Sequence, residues 1–276
     1  MPQTAPPIQS PPIPSSPILS PPILSPLRLG RFVLSECAGE RDGPAQSLRA
    51  LCFRDGRSDR DDLDPACRHF IVTHGADTVA AFRVLLLPDM AGIEASYSAR
   101  FYDLSRLAGL TGPAMELGRF CLHPDWHDPD ILRLAWAGLT RLVDAGGVSV
   151  LFGCSSFSGT DPTPHLDAFA RLARHHLAPE ASAPLRKGEV LDYPALTQDH
   201  PDDPKAALAA LPPLLRTYLA MGGWVSDHAV IDRDLQTLHV FTGVEIARIP
   251  PARARLLRAL ADSVTDTVID LPAAPD

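Results

Sequence analysis

The amino-acid sequence predicts an α/β protein, of the α+β kind, with a mixed central sheet of about seven strands flanked by helices. Three observations carry that prediction. Residues 114–159 read as strand, loop, helix and strand, with apolar residues at helical spacing in the middle and apolar runs on either side. Two further pairs of apolar runs, one before this unit and one after it, are joined by turn sequences and read as antiparallel hairpins. A hydrophobic content of 45% with 21% charged residues over 276 positions is enough to build one full core.

Taken in order, residues 1–27 carry a proline every few positions with serine between them, which predicts an extended, disordered tail. The folded domain is expected over residues 28–265, with a flexible tail at 266–276. Leu29 to Ser35 reads as a first strand, and Pro44 to Arg54 as a short helix with Leu48, Leu51 and Cys52 inward. The loop DGRSDRDDLDP follows, and its aspartates make it either an ordinary exposed loop or a recognition element for a cationic group. His69 to Thr73 and Val79 to Leu87 form the first hairpin, around Gly75-Ala76-Asp77. Arg83 interrupts its second run, so it faces water at an edge or points into a site, because an unpaired buried charge is very costly. Met90 to Leu110 is mostly irregular.

The central unit begins with a strand from Met115 to Leu122, ended by His123-Pro124. Its helix runs from about Ile131 to Ala145, capped by Asp128 or Asp130 and closed by Gly146-Gly147. Val148 to Phe152 is the returning strand, which makes the unit a parallel crossover. Ligands sit at the carboxyl ends of such strands, so 123–130 and 154–161 should flank one cleft. A helix from Pro164 to Leu177, a loop-rich insertion from Pro179 to Lys205, and a helix from Pro212 to Met221 follow. Val225 to Ile231 and Leu238 to Ile246 form the second hairpin, and Ala252 to Val264 a last amphipathic helix. Its arginines, Arg253, Arg255 and Arg258, solubilise it or rest on anionic lipid.

Charge and cysteine usage narrow the function. A net charge of −8 and a pI near 5.6 argue against a general nucleic-acid binder, which needs a dominant basic surface. Five widely spaced cysteines with no CxxC pair indicate neither a zinc site nor a disulfide framework, so no metal is expected and a reducing cytosol is. No run of about eighteen apolar residues spans a bilayer, and the proline-broken N-terminus lacks the basic start of a signal peptide.

Chemistry concentrates in the central unit. Simple alternation puts Glu116 and Gly118 on one face of the first strand and Arg119 on the other. Gly118 marks a bulge or a close backbone approach, and a splayed strand could take an extended ligand arm through its main chain. A buried Glu-Arg pair that only orients the sheet is the equal alternative. The loop PDWHDPD has no glycine and three aspartates, which would repel a diphosphate. Beyond the second strand, Gly153 to Asp161 is rich in small residues, and Cys154 is either a nucleophile by position or a buried structural cysteine.

The segments MELGRFCLHPDW, LRLAWAGLTRLV, LFGCSSFSGTDP and LPPLLRTYLAMGGWVSDHAVIDRDLQT together resemble the ornithine N-acyltransferases of bacterial ornithine-lipid synthesis, a hemolysin-like branch of the GNAT-related acyltransferases. ELGRF also resembles the E-x-S-R-F strand of acyl-homoserine-lactone synthases. The resemblance, spanning about Leu29 to Ile249, implies a GNAT-like fold and transfer of a 3-hydroxy fatty acyl group from acyl carrier protein to the α-amine of L-ornithine, giving lyso-ornithine lipid. No cofactor is implied beyond the phosphopantetheine arm of the carrier, whose single bridging phosphate suits a glycine-poor loop.

On that basis Glu116 is expected to accept the amine's proton and Arg119 to stand beside it, with backbone N–H groups from Arg119 to Cys121 polarising the thioester. Phe120, Cys121, Leu122, Cys154, Ser155 and Ser156 would bind the acyl donor. Asp61, Asp64 and Arg83 would hold the acceptor. Arg133, Arg141, Arg171 and Arg174 would form the patch for the acidic carrier. The expected setting is cytoplasmic, with peripheral contact at the inner membrane. The rival readings are a homoserine-lactone synthase, against which the long portion after Asp161 argues, and a non-enzymatic membrane-associated protein.

Overall fold

A computed structural model describes residues 24–37 and 43–266. Most of the two expected tails, residues 1–23 and 267–276, lies outside the described residues. The chain enters through β1 (Leu27–Leu29) and β2 (Phe32–Cys37). One strand is predicted here, but Gly30, at φ +55, opens a two-residue turn that folds the segment into a hairpin. Leu27 is buried and pairs with Asp266, so one residue assigned to each tail belongs to the sheet.

Helix α1 (Pro44–Arg54) leads to β3 (Arg68–His74) and β4 (Asp77–Leu87), the first hairpin. The connection through residues 88–113 consists of short turns and β5 (Tyr102–Asp103). The central unit is β6 (Ala114–Leu122), α2 (Pro129–Gly146) and β7 (Val150–Ser158). Asp128 caps α2 by accepting from the Asp130 N–H, and Gly147 closes it at φ +57.

After α3 (Leu166–His175), the expected loop-rich insertion proves to hold β8 (Leu185–Arg186), β9 (Val190–Leu191), α4 (Tyr193–Leu196) and the start of α5 (Pro204–Ala210). Asp192 and Asp203 cap α4 and α5, and a proline sits in each first turn. These acidic and proline residues start helices here, where in sequence they look like loop punctuation. The described residues close with α6 (Pro213–Ala220), β10 (Trp224–Val225), β11 (Ala229–Asp232), β12 (Thr237–Glu245), α7 (Pro251–Ser263) and β13 (Thr265–Asp266).

The main sheet has the order β13-β1-β2-β3-β4-β6-β7-β12-β11-β9, with β10 also on β12. Seven of its described strands have four or more residues, as expected from sequence. Every pairing within it is antiparallel except β6 with β7. Helices α2 and α7 cover one face, where Trp136, Leu139 and Leu257 meet Phe82, Val84 and Leu117. Farther along that face, Phe169 of α3 and Leu215 of α6 pack on Phe157, Leu238 and Val240. The other face is covered by Leu48 of α1 against Ala81 and Cys121, and by Tyr102, Leu104 and Leu107 against Leu85, Phe152 and Phe241. Alternation along the strands thus feeds two apolar layers from one set of sequences.

Among the described residues no helix is long and apolar enough to cross a membrane.

Candidate active site

The parallel contact between β6 and β7 lasts for three residue pairs, ending at Glu116 opposite Phe152. Beyond that point β6 pairs only with β4 and β7 only with β12, so the two strands part. Gly153 stands at the fork, and a Cβ there would lie 2.4 Å from the Leu117 carbonyl oxygen. Only glycine lets the strands meet so closely just before they separate.

A cavity of about 360 Å³ fills the opening. One part of its wall is apolar, from Leu117, Phe120, Leu122, Leu132 of α2, and Pro213 and Leu214 of α6. The other part carries Arg83, Tyr97, Glu116, Arg119, Asp232 and His239.

A bulge in β6 arranges the polar part. Ala81 faces Cys121 but Arg83 faces Gly118, so Phe82 opposes both Arg119 and Phe120. The extra residue is Arg119, at φ +50, one position beyond the glycine that sequence singled out. A left-handed conformation costs a non-glycine residue about 1 kcal/mol or more, and here it is repaid by contacts. Arg119 Nε donates to Asp59 at 2.8 Å, its guanidinium lies 4.6 Å from the Tyr97 ring centroid, and Phe120 stacks on Phe82 at 5.5 Å.

The bulge corrects the expected alternation: Arg119 joins Glu116 on the polar wall. It also turns Cys121 away, so this expected donor-binding residue packs with Ala45 and Leu48 of α1 and does not line the cavity.

Three aspartates of the acidic loop, Asp59, Asp61 and Asp64, turn into the fold and are not free for a ligand, while Asp55 and Asp62 stay exposed. Asp59, fully buried, accepts from Arg49 Nε at 2.9 Å, Arg54 Nε at 3.0 Å and Arg119 Nε. Asp61 takes both terminal nitrogens of Arg83, at 2.6 and 2.7 Å, and Asp64 takes Arg49 at 2.7 Å together with Gln46 and Arg83. Burial would raise the carboxyls of Asp61 and Asp64; the guanidiniums, Arg83 for Asp61 and Arg49 with Arg83 for Asp64, reverse this and hold both below the usual range. Asp61 and Asp64 are therefore counter-ions for arginines, and neither lines the cavity. Arg83 sits on a central strand, only 2% exposed, and reaches the site.

Glu116 is buried and accepts from the N–H of Tyr97 at 2.9 Å, the N–H of Ser98 at 2.7 Å and Ser98 Oγ at 2.6 Å. Burial raises its carboxyl above the ordinary value, against those donors and Arg83. Cys154 lines the cavity, and burial pushes its thiol up to about 12, which favours the protonated form over the thiolate. Ser155 Oγ accepts from Thr242 Oγ1 at 2.9 Å, and Ser156 lies on the wall.

The four arginines expected to receive a carrier protein do not form a free patch. Arg133 pairs with Asp130 and Arg171 with Asp202, while Arg174 donates to the carbonyls of Thr197, Gln198 and His200. Arg141 is held by Asp266 and the carbonyls of Ala261 and Val264. None of the four lines the cavity.

Sequence reasoning missed Tyr97, Ser98, Asp232 and His239. The first two sit in a connection without periodicity. His239 left a signal, since it takes an inward position in the apolar run of β12, alternating with Phe241.

Residues 47–137 match the family model described as an acetyltransferase (GNAT) domain. The chain is 34% identical over 198 residues to the L-ornithine N(alpha)-acyltransferase of Rhodobacter capsulatus, covering 69% of this chain and 75% of that protein. It is 29% identical over 202 residues to the protein of the same name from Rhizobium meliloti, covering 70% and 68%. Among solved structures it is similar to FeeM, an N-acyl amino acid synthase from uncultured soil microbes, at 11% identity and a TM-score of 0.45 over 86% of this chain and 98% of that one.

Proposed function

Because this chain belongs to the L-ornithine N(alpha)-acyltransferase family and is an N-acyltransferase of GNAT fold, we propose that it transfers a 3-hydroxy fatty acyl group from acyl carrier protein to the α-amine of L-ornithine, making lyso-ornithine lipid. The non-enzymatic reading falls with that membership. The observation that carries the proposal is the two-natured cavity in the opening between β6 and β7. Its apolar wall suits the acyl-phosphopantetheine arm, and its polar wall suits a small charged acceptor.

In the proposed reaction the neutral amine attacks the thioester carbonyl, forming the C–N bond as the C–S bond breaks. The amine's proton passes to Glu116, directly or through water, and then to the departing thiolate, leaving the carrier with a free thiol. Glu116 suits this because three donors fix its orientation while burial moves its basicity toward neutral pH. Main-chain N–H groups at the Arg119–Phe120 bulge polarise the carbonyl. Arg119 and Arg83 offer donors to the acceptor's carboxylate from their places on the wall. Helix α7, with Leu256 63% exposed beside Arg255, is the face we assign to peripheral membrane contact.

The test is to incubate purified protein with 3-hydroxyacyl carrier protein and each of ornithine, lysine, glutamine and S-adenosylmethionine, and to read the products by mass spectrometry. An ornithine amide supports the proposal. A lactone, or unchanged thioester in every tube, refutes it.

A further inference from the structure

The acceptor proposed above is a diamino acid, and with Asp61 and Asp64 consumed by arginines its second ammonium needs another partner. The hydrogen bonds at the far end of the polar wall identify one. Tyr102 has a single hydroxyl proton, which it donates to the His239 main-chain carbonyl at 2.8 Å. Its oxygen also lies 3.0 Å from His239 Nδ1, so at that contact the oxygen accepts and Nδ1 carries the hydrogen. Burial moves the imidazole down to about 3, so the ring is neutral and Nε2 is left with a bare lone pair.

That Nε2 is buried and has no hydrogen-bond partner among the described residues, on a side chain that is 2% exposed and lines the cavity. An acceptor left unsatisfied in this way costs about 1–3 kcal/mol, which a donor from a ligand would recover. Because the ring stays neutral, it does not repel a cation.

Asp232 lines the same cavity, is 5% exposed, and stands on the same sheet face as His239, since Val230 pairs with His239 and Asp232 lies two residues on. Its Oδ1 accepts from the N–H groups of Asp234 and Leu235, which fixes the side chain at the hairpin turn. The polar wall is therefore divided: guanidinium donors on β4 and β6, acceptors on β11 and β12. A zwitterionic amino acid with a second, cationic amine has the matching distribution of charge.

We propose that Asp232 and His239 Nε2 form the subsite that receives the side-chain ammonium of the acceptor, and so select a diamino acid over a neutral one. The proposal rests on acyl transfer to an amino-acid amine as read above. It is tested by measuring kcat/KM with 3-hydroxyacyl carrier protein for ornithine and for norvaline, its analogue lacking the side-chain amine, in the wild type, Asp232→Asn and His239→Phe. Asparagine keeps an oxygen for the turn. Phenylalanine keeps the ring against Phe101, and Tyr102 keeps its bond to the main-chain carbonyl.

The wild type should favour ornithine, and each variant should lower the ornithine-to-norvaline ratio by about 10- to 100-fold, through KM for ornithine more than through kcat. Thermal melts check folding, and the ratio is its own control for damage common to both acceptors. Equal use of both acceptors by the wild type, or an unchanged ratio in both folded variants, overturns the subsite and leaves the acyltransferase reading standing. A wild type that acylates neither acceptor overturns that reading and the subsite with it.

Discussion

Replacing Asp59 by alanine should be among the most damaging single changes in this protein, although the residue lies in a loop that reads as exposed. Its carboxylate is fully buried and holds three guanidiniums: Arg49, 1% exposed, Arg119, 7%, and Arg54, 18%. Without it, Arg49 keeps Asp64 and the main-chain carbonyl of residue 59, while Arg119 keeps only a 3.4 Å contact to Asp61 and its position over Tyr97. Removing one member of a buried ion pair costs about 3–5 kcal/mol, because the remaining charge is stranded away from water. For a domain of this size each kcal/mol moves the melting temperature by about 2–4 °C, so a fall of roughly 10 °C is expected. Urea denaturation followed by circular dichroism, with a parallel thermal melt, measures both quantities. A loss below about 1 kcal/mol, the worth of an exposed pair, would refute the argument that the Asp59 carboxylate is a buried charge hub.

Further changes probe the site. Glu116→Gln should lower kcat about 100-fold and alter its pH dependence, and near-wild-type turnover in a folded variant would remove the proton-acceptor role. Gly153→Ala should destabilise the fold by about 1–3 kcal/mol and depress activity, because its Cβ would force β6 and β7 apart; unchanged stability in urea would contradict the 2.4 Å approach. Stability should decline as pH falls from about 6.5, where the unfolded chain protonates its histidines while burial keeps His239 neutral down to about 3. The decline should steepen below about 4, the ordinary carboxylate range, because Asp61 and Asp64, held low by Arg83 and Arg49, lose their contribution there. Urea midpoints at pH 7, 5.5 and 3.5 check this, and His239→Phe should flatten the upper part of the curve. Leu256→Asp should weaken sedimentation with anionic vesicles, and equal binding by the variant would exclude α7 as the contact face.

The strands and helices that were legible in sequence are those with strong periodicity. Helix α2, the first hairpin and the strand-helix-strand unit follow from apolar spacing and from caps such as Asp128 and Gly147, whereas the strand expected from Val225 to Ile231 is split into β10 and β11, which pair separately with β12. Gly30 and the short helices after Asp192 and Asp203 were harder to read, because one glycine or proline has the same local meaning in a turn and at a helix start.

Sequence by itself determined the fold class and the family, which depend on local pattern and on ordered motifs; of the two segments expected to flank a cleft, 154–161 reaches the cavity through Cys154, Ser155 and Ser156, and 123–130 does not line it. Of the residues it singled out, Glu116, Phe120, Leu122, Cys154, Ser155 and Ser156 line the cavity. The tertiary structure decided which charges are free. One extra residue in β6 brings Arg119 to Glu116 and sends Cys121 under α1, and pairing across the fold binds Asp61 and Asp64 to arginines far away in sequence. Asp232 and His239 enter the site only because β12 lies against β7. The physical reason is that periodicity reports which face of an element is apolar, whereas the partner of a buried charge is set by packing between elements, which no local pattern contains.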